Sequence, residues 1–226
     1  MTKEELLERY EARGEDSDFL IARPLYEREL AEAPTARVLN DYGYLLECHG
    51  RRELRRAVEL YEQAIELDPG LDKPHYQLIS ARAGLQETEL PVALYELRVA
   101  ESPGEIREHR FLANAYLRAH DYRGARRVVD AALELAPDDA ALLALRGESK
   151  AGLADPEGAL ADWARALEID PDDIGPLYSS AFLLEREGRI AAAADAWRSI
   201  IDWNEARGYA LQSEWPREQL DRLRTP

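Results

Sequence analysis

Ala64-Ile65-Glu66-Leu67-Asp68-Pro69 returns as Ala132-Leu133-Glu134-Leu135-Ala136-Pro137 and again as Ala166-Leu167-Glu168-Ile169-Asp170-Pro171. A weaker copy, Arg98-Val99-Ala100-Glu101-Ser102-Pro103, stands between the first two, so that Pro69, Pro103, Pro137 and Pro171 are spaced 34 residues apart. Proline lacks a backbone donor and fixes φ, so it ends elements rather than filling them. A constant interval of this size predicts stacked helical hairpins. Upstream of the prolines a small residue is followed by a bulky one four positions on and a third core residue three beyond. The sets are Ala57, Tyr61, Ala64; Ala125, Val129, Ala132; Ala159, Trp163, Ala166; and Ala193, Trp197, Ile200. Spacings of four and three put each set on one face of a helix.

Ahead of each of these helices lies a second pattern: bulky, then small four later, then bulky three beyond. Leu39, Gly43, Leu46 fit it, as do His109, Ala113, Tyr116 and Leu177, Ala181, Leu184. Leu143 and Gly147 also fit, with Lys150 in place of the expected apolar residue. His75, Ile79 and Arg82 form the most divergent copy, with Pro91 replacing the small residue of its second helix. On these residues the chain resembles the tetratricopeptide repeat (TPR) family, whose unit is two antiparallel helices. The resemblance covers nearly the whole chain. It implies an all-α fold, a right-handed superhelical solenoid of about six helix-turn-helix repeats plus a C-terminal capping helix.

Residues 1–226 are thus expected to form a single solenoid domain: 1–35 a degenerate N-terminal repeat, 36–207 five repeats, and 208–226 a C-terminal cap. Helices are expected over Lys3–Arg13 and about Ser17–Glu32, broken at Gly14–Asp16, and the second repeat has two extra residues near Gly50–Arg52. Repeat starts fall at Ala36, Asp72, Ile106, Ala140 and Ile174. Asp121, Asp139 and Thr88 are expected helix caps, as is Asp155 before Pro156, while Gly188 suits a left-handed helix end. Past Gly208 the period fails, and a short last helix is expected from Ser213 to about Arg224.

Acidic residues outnumber basic ones by 45 to 29, a formal charge of −16. That field repels nucleic-acid phosphates and anionic lipid, so neither is an expected partner. No apolar run approaches the ~18 residues of a membrane span. Met1–Tyr10 lacks the apolar core of a signal peptide, and a cytoplasmic protein is expected. Lys3, Lys73 and Lys150 are the only lysines, an arginine bias resembling that of a GC-rich bacterial genome.

Little in the chain suggests bond-breaking chemistry. His75 and His109 occupy equivalent repeat positions, but two ligands are too few for a closed metal site, and a bulky, partly buried role is expected. Cys48 is the lone cysteine and is expected to be a buried thiol near a turn. The 13 glycines are scattered singly, without a phosphate loop. No catalytic residue, metal ligand or cofactor is therefore assigned. Trp163 and Trp197 are expected in the core. Trp203 and Trp215 fit either packing of the last helix on the sixth repeat or an exposed aromatic docking patch.

In the TPR family the second, fifth, ninth and twelfth positions of each first helix point into a concave groove. By that resemblance the groove here carries Arg37, Lys73 and Arg107 as a basic ladder, with Asn40, Arg110 and Asn114 beside it. Tyr44, Tyr76 and Ser80 add to the first half, and Tyr178 and Phe182 give the second half aromatic area. Charge counts agree in part: residues 106–139 hold six basic and six acidic residues, residues 140–173 three and eight. Such a groove suits an unidentified protein or peptide with an acidic and an apolar portion. Arg110 and Asn114 resemble the start of the family's carboxylate clamp for chaperone C-termini. Glu148, Tyr178 and Phe182 then depart from it, which argues against a chaperone partner. The resulting expectation is a non-enzymatic interaction module or scaffold. The alternatives are self-assembly through the solenoid ends or C-terminal aromatics, giving a homo-oligomer, and a receptor for a short regulatory peptide.

Overall fold

The computed structural model describes residues 2–13, 16–50 and 53–224. Among them the chain forms thirteen α-helices, one 3-10 turn (Ala210–Ser213) and no strand. The first four helices are α1 (Lys3–Arg13), α2 (Asp16–Glu32), α3 (Ala36–His49) and α4 (Leu54–Leu67). Next come α5 (Asp72–Gly84), α6 (Glu89–Glu101), α7 (Ile106–Arg118), α8 (Tyr122–Leu135) and α9 (Ala140–Gly152). The last are α10 (Pro156–Ile169), α11 (Gly175–Arg186), α12 (Ile190–Ala206) and α13 (Glu214–Arg224). They follow one another as six hairpins and a final helix. The starts of α3, α5, α7 and α9 coincide with the expected repeat boundaries, and α11 begins one residue after Ile174. All four periodic prolines lie in turns. The break expected at Gly14–Asp16 involves residues 14 and 15, and the insertion near Gly50–Arg52 involves 51 and 52; these four lie outside the described residues.

The chain divides into two compact units, Met1–Leu97 and Arg98–Pro226, the division falling within α6. In unit 1, α3 packs on α4 and α4 on α5, while the first helices touch each other, α1 with α3 and α3 with α5. The core joins Leu6, Tyr10, Phe19, Tyr26, Leu45, Leu60 and Tyr61. In unit 2, α7 packs on α8, α8 on α9 and α9 on α10, and the first helices again adjoin, α7 with α9 and α9 with α11.

Within a hairpin the second helix's bulky residue seats on the small residue of the first. A Cβ placed on Gly43 would come within 2.6 Å of the Tyr61 ring, and one on Gly147 within 2.4 Å of the Trp163 indole. Neither distance is compatible with a side chain, so glycine is required for the ring to lie on the backbone. Each buried ring also satisfies its polar tip across the same contact. The Tyr61 hydroxyl donates to Glu47 Oε2 at 2.8 Å and the Trp163 Nε1–H to the Ala144 carbonyl at 3.0 Å. Trp197, fully buried in a cluster with Ala181, donates to Glu185 Oε1 at 2.6 Å. Burying an aromatic with its donor satisfied offsets the cost of desolvating the polar tip.

The inner turns share a feature that the sequence pattern hid. Gln86, His120, Ala154 and Gly188 all have positive φ, at 64°, 58°, 61° and 69°, and they too stand 34 residues apart. Only the last is the glycine that this region favours. The residue after two of them starts the next helix as its cap. Asp121 accepts from the Gly124 N–H at 2.8 Å and Asp155 from the Gly158 N–H at 3.0 Å. Asp139 caps α9 through the Leu142 N–H at 2.9 Å, and Thr35, which the sequence reading passed over, caps α3 through the Val38 N–H.

Lys150, the polar exception in its repeat, belongs to a buried ion-pair network. Asp162 is 5% exposed and receives two parallel bonds from Arg146, at 2.8 and 2.7 Å, and Lys150 Nζ at 2.7 Å. Burial alone would raise the Asp162 pKa; the bonds from Arg146 and Lys150 override it and hold the carboxyl below its usual range.

Two outcomes follow from these contacts. Gly188→Ala is expected to cost about 1 kcal/mol of unfolding free energy and Ala154→Gly to gain a fraction of that, read by thermal melts of both variants. Asp162→Asn is expected to cost about 2 kcal/mol at neutral pH, between the values for exposed and fully buried pairs. Because its folded pKa is depressed, Asp162 contributes this stability above its unfolded pKa of about 3.9 and loses it as pH falls through the folded value. Urea midpoints of wild type and Asp162→Asn should therefore converge as the pH falls below the ordinary aspartate range.

Candidate functional site

The expected binding residues lie on the first helices of the hairpins. In unit 1, Arg37 and Asn40 from α3 and Lys73 from α5 come together. With Glu4, Leu7, Asp41 and Leu71 they line an open hollow of about 270 Å³. The Arg37 guanidinium is 80% exposed and only 3.7 Å from Asp41. Asn40 is buried, and its Nδ2 donates to Asp41 Oδ1 at 3.2 Å, which fixes the amide's orientation. Lys73 is exposed, its ammonium 5.9 Å above the centre of the Tyr44 ring. Tyr44 in turn donates to Glu11 Oε1 at 2.8 Å. Burial first, then Cys48 and Glu11, push its phenol far above the ordinary value, so it stays a neutral donor. Tyr76 and Ser80 are half-buried on α5.

Cys48 corrects one expectation: it is exposed at the end of α3 rather than buried. The surrounding protein still desolvates the thiolate enough to push its pKa up to about 11. A bond from Tyr44 opposes the shift, while Glu11 and Glu47 reinforce it. At neutral pH the group is a thiol, and a thiol is a poor nucleophile.

In unit 2, Arg107 is half-buried with its guanidinium 5.4 Å from the centre of the Phe111 ring. Arg110 is ion-paired with Asp139, whose other oxygen caps α9. It therefore braces the α7–α9 junction as well as facing the shared side. Sequence spacing offered no signal for this bond, since the partner lies 29 residues away. Asn114 is half-buried on α7. Arg37 and Lys73 share one hollow, while Arg107, the third member of the expected ladder, belongs to the other unit.

Tyr178 and Phe182, one turn apart on α11, meet Trp197 of α12 and Trp215 of α13. Phe182 stands edge-on to Trp197 at 5.3 Å and 5.8 Å from Trp215. Tyr178 lies edge-on to Trp197 at 5.9 Å and stacks on Trp215 at 6.3 Å. Trp215 packs the last helix onto the sixth hairpin and keeps 44% of its surface exposed, beside 49% for Phe182. Trp203 donates to the Pro171 carbonyl at 3.0 Å under the Arg207 guanidinium.

His75 is fully buried between the Tyr95 hydroxyl, 2.9 Å from Nδ1, and the Pro69 carbonyl. The His109 Nδ1 lies 3.1 Å from the Glu105 carbonyl. Both imidazoles tie a helix to the turn that precedes it. Among the described residues no group of three or more His, Cys, Asp or Glu is placed to hold a metal ion, and no helix is long and apolar enough to cross a membrane.

Residues 112–174 match the tetratricopeptide repeat family model. The chain resembles the crystal structure of a thermophilic TPR protein of Thermus thermophilus, with 20% identity, 84% of this chain and 98% of that one covered, and a TM-score of 0.62. A tetratricopeptide repeat protein of Parabacteroides merdae is 15% identical over 98% of this chain and 93% of its own, with a TM-score of 0.51. These are likenesses of fold. Human protein O-mannosyl-transferase TMTC1 is 28% identical over 130 residues, 58% of this chain, which spans only 14% of that relative's length. Residues 112–174 thus carry the family's repeat, and the same helical hairpin recurs from α1 to α12.

Proposed function

We propose that the protein is a non-enzymatic interaction module that holds a peptide or an extended segment of a partner protein against its first-helix faces. The observation that carries this reading is the unit 1 hollow. Equivalent repeat positions supply Arg37 and Lys73 to a single open depression, and both charges are exposed. Arginine and lysine there can give charge-assisted bonds to carboxylates, beside a tyrosine held neutral. A soluble cytoplasmic setting and a scaffold role belong to the same reading. The affinity expected is moderate, because ordering an extended ligand consumes part of the contact energy.

A second reading, self-association at the C-terminal end, draws on the exposed halves of Phe182 and Trp215.

Selection of a random peptide phage library tests the main reading. Wild type is expected to enrich peptides with acidic residues next to apolar ones, and Arg37→Glu with Lys73→Glu is expected to lose the acidic preference. Both side chains are exposed, so folding should be unaffected. No enrichment over the starting library, or the same sequences on the double variant, would contradict the proposal.

A further inference from the structure

Unit 2 holds a second hollow, of about 350 Å³, lined by aromatic and apolar groups that include Tyr122, Trp163, Phe182 and Leu183, with Glu148 among them. Its aromatic walls follow from glycines. Trp163 lies on Gly147, and a Cβ on Gly152 would come within 2.3 Å of the Tyr122 ring, so each ring is pressed against bare backbone. Phe182 adds a wall that is half open to solvent.

Glu148 is the feature of this hollow that the fold does not use. It makes no hydrogen bond or ion pair among the described residues, whereas Glu108 and Asp162 are each held by an arginine. Arg186 also lines the hollow, but its Nη2 donates to the Ala151 carbonyl at 3.3 Å and its Nε to Glu187 Oε1 at 3.3 Å. Crowding by the protein raises the Glu148 pKa, Arg118 pulls it back down and Asp173 adds to the rise. An exposed carboxylate with no bonded cation is open to a charge-assisted pair with a cationic guest. Aromatic faces around it favour the same kind of guest.

We infer that this hollow receives a basic side chain, lysine or arginine, of the partner peptide. The aliphatic stem lies against Phe182, Leu183 and Trp163, and the charged head pairs with Glu148. The inference rests on the reading that the first-helix faces hold a peptide and adds the chemistry of one anchor. Long basic side chains suit such a place, since they cover apolar surface with the stem while the head keeps a polar partner.

The test uses n-butylammonium, the lysine side chain without its backbone, with 1-pentanol as the neutral control of similar size. The full chain is titrated and followed by NMR at the Trp163 indole and the Ala151 and Gly152 amides. Saturable shifts are expected with n-butylammonium, about tenfold weaker in Glu148→Gln and for 1-pentanol. Equal response to the two probes, an unchanged response in Glu148→Gln, or no saturable shift overturns the inference. Glu148 is exposed and bonds nothing, so its substitution leaves the fold as an unchanged background. If phage selection on wild type still yields acidic-apolar binders while n-butylammonium fails, the pocket assignment falls and the peptide-binding reading stands.

Discussion

A bulky residue of the second helix seated on a small residue of the first is the contact on which the hairpins depend, and in two of them it is a ring lying on bare backbone. At Gly43 and Gly147 the first helix offers no side chain, and Tyr61 and Trp163 fill that gap. Glycine inside a helix costs about 1 kcal/mol relative to alanine, so these positions are favourable only because a large aromatic fills them. The polar tip of each ring then reaches a carboxylate or carbonyl on the first helix, fixing its register along the pair. Packing alone would leave that register free to slide.

Within each unit the first helices adjoin, and their open side is the face proposed for a partner. Its residues divide into those the fold uses and those it leaves. Arg110 is spent on Asp139 and the α9 cap, while Asn40 gives its Nδ2 to Asp41 and keeps its buried Oδ1 without a partner among the described residues. Arg37, Lys73, Phe182 and Glu148 remain at the surface with weak partners or none. The same division explains Lys150: a cation at an apolar repeat position is tolerated because Asp162, itself buried, needs it. A repeat protein can thus vary its chemistry at a few positions per hairpin while the glycine-aromatic contact keeps the geometry.

Much of the fold was legible because helical packing leaves a periodic trace. The prolines, the small-bulky spacing and the aspartate caps each reflect one local constraint that recurs with each hairpin, and the boundaries they mark are where the helices start. The left-handed inner turns were hidden because three of the four use Gln86, His120 and Ala154, residues that do not advertise positive φ. Cys48 was misplaced because its position near a helix end governs its exposure, and spacing does not report that. The candidate site was legible only as a set of residues at equivalent positions of the first helices. Which of them are bonded depends on partners far away in sequence, as Asp139 is from Arg110, and no repeat pattern carries that information.

The dependence on ring and gap can be isolated by a double-mutant cycle on Gly147→Ala and Trp163→Val, with urea unfolding of all four proteins. In the presence of Trp163 the added methyl is expected to cost about 1–3 kcal/mol through overpacking. With valine in place of the indole, the same methyl is expected to stabilise by a few tenths to about 1 kcal/mol, through helix propensity alone. Gly147→Ala changing stability by the same amount in both backgrounds would contradict the account.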